Sequence, residues 1–293
     1  MKRKKKKELT YANFYYYLLL IAPLAIIYIV FFVTPVVQSM FYSFTNFNGL
    51  QLQADFVGLK NYKVAIQDSK FIASIKNTIW LAIGVTVIQN ILSIAIALGL
   101  NLKFKGRGIV RTLIFAPCML APVVVAYVWQ FIYTPDGLLD KIFPTDIVWL
   151  ANPNYALMCV IVAHTWIWLG YTATIYLASL QDISTDIKEA AAIDGSSGWQ
   201  LFRHITFPLM APAVTINVSL AFTGSLKIFD LVYAMTGGGP NGATETMGTY
   251  VMSKMSSNLH GYASALSVIM MVMIIISGRL LITYLHKREE AMS

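Results

Sequence analysis

Apolar residues dominate six stretches of this chain, each long enough to cross a hydrocarbon core, which takes about 20 residues of helix. They run from Phe14 to Val37, Thr78 to Leu100, Leu113 to Tyr133, Tyr155 to Leu177, Pro208 to Phe229 and Ala263 to Leu285. The pattern predicts an all-α membrane protein with six transmembrane helices. The first stretch follows a basic start, Lys2 to Lys7, as a secretory signal would. Its apolar run is too long for one, however, and no A-x-A cleavage site follows. It continues past Pro35 into the aromatic Met40–Phe44, so it reads as a retained span.

Six spans put both termini on one side, and the basic residues select the side. With the N-terminus inside, the cytoplasmic segments receive Lys2, Arg3, Lys4 to Lys7, Lys103, Lys105, Arg107, Arg111, Lys188, Arg203, Arg279, Lys287 and Arg288. The outer segments hold Lys60, Lys63, Lys70, Lys76, Lys141 and Lys254, and Lys227 sits near the outer end of the fifth span. The 14 acids divide evenly. An excess of Lys and Arg marks the cytoplasmic side, so both termini are predicted there.

Composition agrees. Of 293 residues, 57% are hydrophobic and 12% charged, with a mean hydropathy of +0.63. A soluble domain carries roughly 25% charged residues, so disorder, a coiled coil and an ordinary cytosolic enzyme are excluded. Two cysteines leave no disulfide scaffold or Cys-rich zinc site. The net charge of +8, which in a soluble chain would hint at nucleic acid, here reads as loop charge that sets orientation. No acid lies in the middle of a span, where a charge costs about 2.5–3.5 kcal/mol and persists mainly for function. That argues against a proton- or sodium-coupled carrier, and it places the driving force outside the membrane.

The most informative connection runs from Gln181 to Pro208. Asp186 is expected to cap a short helix, with Glu189 as its reciprocal partner. Ala190, Ala191 and Ala192 are strong helix formers, and Gly195 supplies a left-handed stop. A second helix is expected to start at Ser196 or Ser197, with Trp199, Phe202 and Ile205 on one face and Pro208 opening the next span. Small side chains let another surface approach the backbone closely, and Glu189 offers a charge to an Arg or Lys across the contact. On physics alone, this docking elbow and a plain amphipathic elbow on the membrane surface stand level.

Glu189-Ala190-Ala191, Gly195 six residues after the Glu, Ile205 and Pro208 resemble the EAA loop of bacterial ABC importer permeases, E-A-A-x3-G-x9-I-x-L-P. The one departure is Phe207 in place of Leu. Phe56-Val57-Gly58-Leu59-Lys60-Asn61-Tyr62 is similar to the FxGLxNY stretch of carbohydrate permeases of the maltose-permease type. Arg111-Thr112 before Pro117 and Pro122, Phe229-Asp230 before Thr236-Gly237-Gly238-Gly239-Pro240, and Gly261-Tyr262-Ala263 resemble further segments of that family. The resemblance implies a type I importer permease fold in the cytoplasmic membrane. Residues 1–13 would be a basic tail, 14–285 the six-span domain with its coupling loop at 181–208, and 286–293 a second tail. Glu189, Ala190, Ala191, Asp194 and Gly195 would couple the chain to a separate ATPase. The chain itself would hold no cofactor, ATP and Mg being bound by that ATPase. The implied partners are a second, different permease chain, two ATPase subunits, an extracellular solute-binding lipoprotein, membrane lipid and a carbohydrate cargo. A glycerophosphodiester cargo and a non-transporting membrane assembly protein are the alternatives.

Gly237–Pro240 is no phosphate loop, because no Gly-Lys-Ser/Thr follows and no strand precedes it. His164, Trp168 and Tyr171 share one face of the fourth span, beside a seam that includes Thr172. The fifth span carries Asn217, Ser219, Thr223 and Ser225. Aromatic faces and hydroxyl or amide groups suit a sugar, so Trp168, Tyr171, Thr172, Asn217 and Thr223 are the candidate cargo path, Asn217 foremost. Such residues also serve to hold membrane helices together.

Overall fold

The computed structural model of this chain describes residues 16–50, 54–143, 147–193 and 195–290. Four helices in it are long and apolar enough to cross a membrane: α1 (Tyr16–Tyr42), α3 (Ser69–Asn101), α7 (Ala156–Asp182) and α13 (His260–Glu290). Two bent pairs bring the number to six if each counts as one span. Apart from an isolated bridge between Thr45 and Phe56, the described residues contain no β structure.

The third and fifth predicted spans are broken. α4 (Arg107–Phe115) continues through a 3₁₀ turn (Ala116–Met119), and the chain then turns through 105° into α5 (Pro122–Tyr133). Pro122 causes this. The residue before a proline is pushed towards extended backbone, and Ala121 obeys with ψ 137°. α9 (Trp199–Leu209) meets α10 (Ala211–Leu226) at 72°. Pro212 has no N–H to give the carbonyl of Pro208, and the helix yields between them.

Two helix ends lie well beyond the apolar runs. α3 starts nine residues before Thr78, because Asp68 accepts from the backbone N–H groups of Lys70 (3.0 Å) and Phe71 (3.3 Å) and so caps a polar first turn. α13 likewise stays helical through Glu290, into the segment expected as a tail.

The chain forms two compact units. One contains α1 and the loop that follows, together with residues 254–268. There Asn61, at the start of α2 (Lys60–Gln67), donates to the carbonyls of Ser43 (2.9 Å) and Thr45 (2.8 Å). Tyr62 donates to Ser43 Oγ at 2.7 Å, and Gly261 N–H reaches Phe47 O at 2.7 Å. Those bonds give the Phe56–Tyr62 stretch a structural task, satisfying a loop whose carbonyls have no helix or sheet to pair with.

The other unit, residues 66–253 with 269–293, is built around α3, α7 and α10. Gly84 of α3 lies where a Cβ would come 2.8 Å from Ile161 Cδ1, and Gly170 of α7 abuts the backbone of Ile114 and Phe115. Small residues at such crossings let membrane helices approach closely. Polar cross-links supplement the packing. Gln89 donates to Thr172 Oγ1 (2.7 Å), Tyr176 to Asn90 Oδ1 (2.6 Å) and Ser93 to Leu169 O (3.2 Å). α5 packs on α11 (Asp230–Thr236), where Gln130 donates to the carbonyls of Ala234 and Met235. Gly237, at φ +60°, ends α11, and Gly237–Pro240 forms a compact turn closed by Thr244 Oγ1 on Gly239 O at 2.6 Å.

Candidate functional site

Two places carry candidate function, an elbow and a cavity. The elbow begins with α8 (Thr185–Ile193). Its cap is Ser184, whose Oγ accepts from Asp186 N–H at 3.1 Å, and not Asp186 as expected. Asp186 sits instead in the first turn, where a carboxylate complements the positive end of the helix. With Ser184 as cap, Glu189 is displaced from the reciprocal position and stands exposed. Ala190 is exposed beside it, while Ala191 is buried. Asp194 lies outside the described residues.

Gly195 adopts φ +80°, and Ser196 N–H reaches back to Ala191 O at 2.9 Å. That six-residue closure is the Schellman stop, which favours glycine because a Cβ is penalised in the left-handed region. The following helix opens at Trp199, after Gly198 at φ +52°, later than expected from Ser196 or Ser197. Nothing lies within 4 Å of a Cβ added at Gly195 or Gly198, so the elbow is open on both sides.

The cavity has a volume of about 370 Å³ and lies among α3, α7, α10 and the segment from Lys227 to Leu231. Of the predicted path residues, Trp168, Tyr171 and Thr172 line it, with the first two rings meeting edge to face at 6.1 Å. His164 joins them, one turn before Trp168. Asn217 and Thr223 are not in the lining. Asn217 is buried and donates to Thr172 O at 3.3 Å, linking α10 to α7. Thr223 bonds back to Ser219 O at 2.7 Å, and its methyl group faces Gly278 of α13.

Gln89, Lys227 and Asp230 also line the cavity. A reading weighted towards intramembrane carboxylates passes over Gln89, although an amide in the middle of the second apolar stretch is the signal that finds it. Gln89 spends its N–H on Thr172, which leaves Oε1 buried without a protein partner. His164 Nδ1 is in the same position. Buried polar atoms almost always have partners, so these two, on residues that line the cavity, are unmet hydrogen-bonding capacity close to it. The aromatic pair beside them offers flat apolar faces.

A family model described as binding-protein-dependent transport system inner membrane component matches residues 89–290. The multiple sugar-binding transport system permease protein MsmF of Streptococcus mutans is 35% identical over 261 residues, covering 87% of this chain and 89% of that protein. The probable starch degradation products transport system permease protein AmyD of Thermoanaerobacterium thermosulfurigenes is 30% identical over 98% of this chain and 99% of its own length. The sn-glycerol-3-phosphate transport system permease protein UgpA of Agrobacterium fabrum is 32% identical, over 92% and 94%. Among solved structures, a chain of a bacterial ABC transporter involved in the import of the acidic polysaccharide alginate superposes with a TM-score of 0.81 at 21% identity, covering 98% of this chain and 99% of that one.

Proposed function

Because the chain belongs to the family of binding-protein-dependent transport system inner membrane components, it is a multi-pass permease subunit of the cytoplasmic membrane, and we propose that its cargo is a carbohydrate. The names of MsmF and AmyD support that cargo class. One observation in this chain carries it further. The cavity is lined by the polar residues Gln89, His164 and Thr172 beside the rings of Trp168 and Tyr171. A sugar presents hydroxyl groups at its edge and C–H groups on its faces, and this wall complements both. Ligand sites of this kind are mostly apolar, with a few placed polar groups and volumes of roughly 300–1,000 Å³. Trp168, Tyr171 and Thr172 are the proposed path residues, while Asn217 and Thr223 contribute by holding α10 in place.

The likeness to UgpA and the presence of Lys227 in the lining favour a second reading, a phosphate-bearing cargo. Asp230 lines the same cavity, and its carboxylate opposes an anion. A neutral carbohydrate therefore fits better.

In the proposed assembly, the chain pairs with a second permease and both termini are cytoplasmic. An extracellular solute-binding lipoprotein delivers the cargo. Two ATPase subunits hold the ATP and Mg, and no chemistry occurs in the permease. Residues 14–285 form the transporting domain, with cytoplasmic tails at 1–13 and 286–293. Of the expected coupling residues, Glu189, Ala190, Asp194 and Gly195 form the contact through which ATPase closure moves the bundle, and Ala191 is buried within the permease. The bent pairs are the elements that can change angle, since hinge motions concentrate at a few terminal residues. The test is uptake by proteoliposomes holding the complete importer. Unlabelled oligosaccharides should compete with labelled cargo, whereas glycerol-3-phosphate should not. Competition by glycerol-3-phosphate alone would refute the carbohydrate assignment.

A further inference from the structure

Four cations stand close together where α3 gives way to α4: Lys103, Lys105, Arg107 and Arg111. No acid occurs between Asp68 and Asp136, so no neighbour in sequence neutralises them. Among the described residues none of the four forms an ion pair, and Lys103, Lys105 and Arg111 are exposed. Large apolar side chains alternate with them. Leu102, Ile109 and Leu113 are 67%, 69% and 67% exposed, and Phe104 is exposed as well. Within α4, Arg107 and Arg111 share one side of the helix, whereas Ile109 and Leu113 share the opposite side. No atom lies within 4 Å of a Cβ built at Gly106 or Gly108, so the rest of the described chain leaves this surface open. Ala97 and Leu100, at the end of α3, cluster with Leu180 and Ile183 at the end of α7, which puts the cations on the same side of the bundle as the elbow.

We propose that residues 102–113 bind the phosphate headgroups of acidic phospholipids, with Lys103, Lys105, Arg107 and Arg111 on the headgroups and Leu102, Ile109 and Leu113 among the acyl chains. A helix with cations on one side and large apolar side chains on the other settles at the boundary between headgroups and acyl chains. Long basic side chains reach outward from such a position while their stems stay against apolar surface. The guanidinium groups of Arg107 and Arg111 suit a phosphate diester, whose two free oxygens a planar fork can grip at once. Each basic residue near an acidic membrane surface strengthens attraction about fivefold, and four stand here in one short segment. The competing occupant is the ATPase, which is proposed to dock on the same side. Lysine is depleted at protein interfaces, and the exposed leucines and isoleucine extend from apolar spans that lipid already surrounds. Charge and hydropathy together therefore favour the membrane. Lipid binding here is independent of the cargo and of the elbow.

The experiment uses the assembled importer in vesicles of phosphatidylcholine mixed with phosphatidylglycerol. A photoreactive phosphatidylglycerol should crosslink to residues 102–113 of the native permease, read by mass spectrometry of its peptides, and a photoreactive phosphatidylcholine should do so about fivefold less or weaker still. Crosslinks absent from that segment, or equal for the two lipids, would overturn the proposal in the native chain, before any variant is made. The combined variant Lys103→Gln, Lys105→Gln, Arg107→Gln, Arg111→Gln should lose the preference. The charge-preserving exchange Lys103→Arg, Lys105→Arg, Arg107→Lys, Arg111→Lys should keep it. A preference that survives in the Gln variant overturns the assignment. So does a segment shielded from both lipids while the ATPase is bound, with the ATPase released by the Gln variant, because the surface then belongs to the ATPase. Excess inorganic phosphate should leave the crosslinking unchanged, and competition by it would mark a site for a free anion and refute the headgroup.

Discussion

Replacing Gln89 by Leu separates the two jobs assigned to that side chain. Gln89 Nε2 gives a 2.7 Å bond to Thr172 that ties α3 to α7, and the side chain also lines the cavity proposed to take the cargo. Bonds between membrane helices contribute about 0.6 kcal/mol on average and at most about 1.7. Thermal stability should therefore fall only slightly. A hydrogen bond to a neutral hydroxyl contributes about 1 kcal/mol net, which at room temperature is about fivefold in rate or occupancy. With saturating, cargo-loaded binding protein, maximal uptake by Gln89→Leu should fall about fivefold. The control is the next residue. Asn90 accepts from Tyr176 at 2.6 Å in the same interface but does not line the cavity, so Asn90→Leu should cost comparable stability and spare uptake. Equal loss of uptake in the two variants, tracking stability alone, would refute a cargo-facing role for Gln89.

Other outcomes follow from single backbone features. Gly195→Val forces a β-branched residue into φ +80°, where even an unbranched residue costs roughly 1–2 kcal/mol, so the ATPase should co-purify poorly while the permease remains folded in detergent. Gly170→Val drives a side chain into the backbone of Ile114 and Phe115, and a lowered melting temperature with reduced membrane yield is expected. Ser184→Ala removes the cap of α8 at a cost of about 1 kcal/mol. Hydrogen exchange should speed up at Asp186 and its neighbours, with no change in α7.

The sequence carried the architecture further than its details. Apolar runs mark where spans lie, because a lipid core demands about 20 consecutive apolar residues whatever the packing. The same averaging conceals the breaks at Ala121 and Met210, although Pro117, Pro122, Pro208 and Pro212 are plain in the sequence. A proline permits a bend, but neighbouring helices decide its angle. Helix starts were equally hidden. Asp68 caps a polar turn that hydropathy excludes from its span, and Ser184 competed with Asp186 for a role open to either. Asn217 and Gln89 illustrate the deeper limit. Both are lone amides in apolar stretches, and only their neighbours across the bundle make one a tie between helices and the other a wall of the cavity. Gly195 was legible because its task is local, a positive φ at a helix end.

The most direct test is ATP-driven uptake of a labelled oligosaccharide by proteoliposomes containing the full importer, compared between the native chain and Glu189→Lys. Reversing that exposed charge should reduce uptake at least tenfold and release the ATPase, with the permease still folded and inserted. Uptake at the native rate, with the ATPase still bound, would contradict the claim that this elbow is where the motor takes hold.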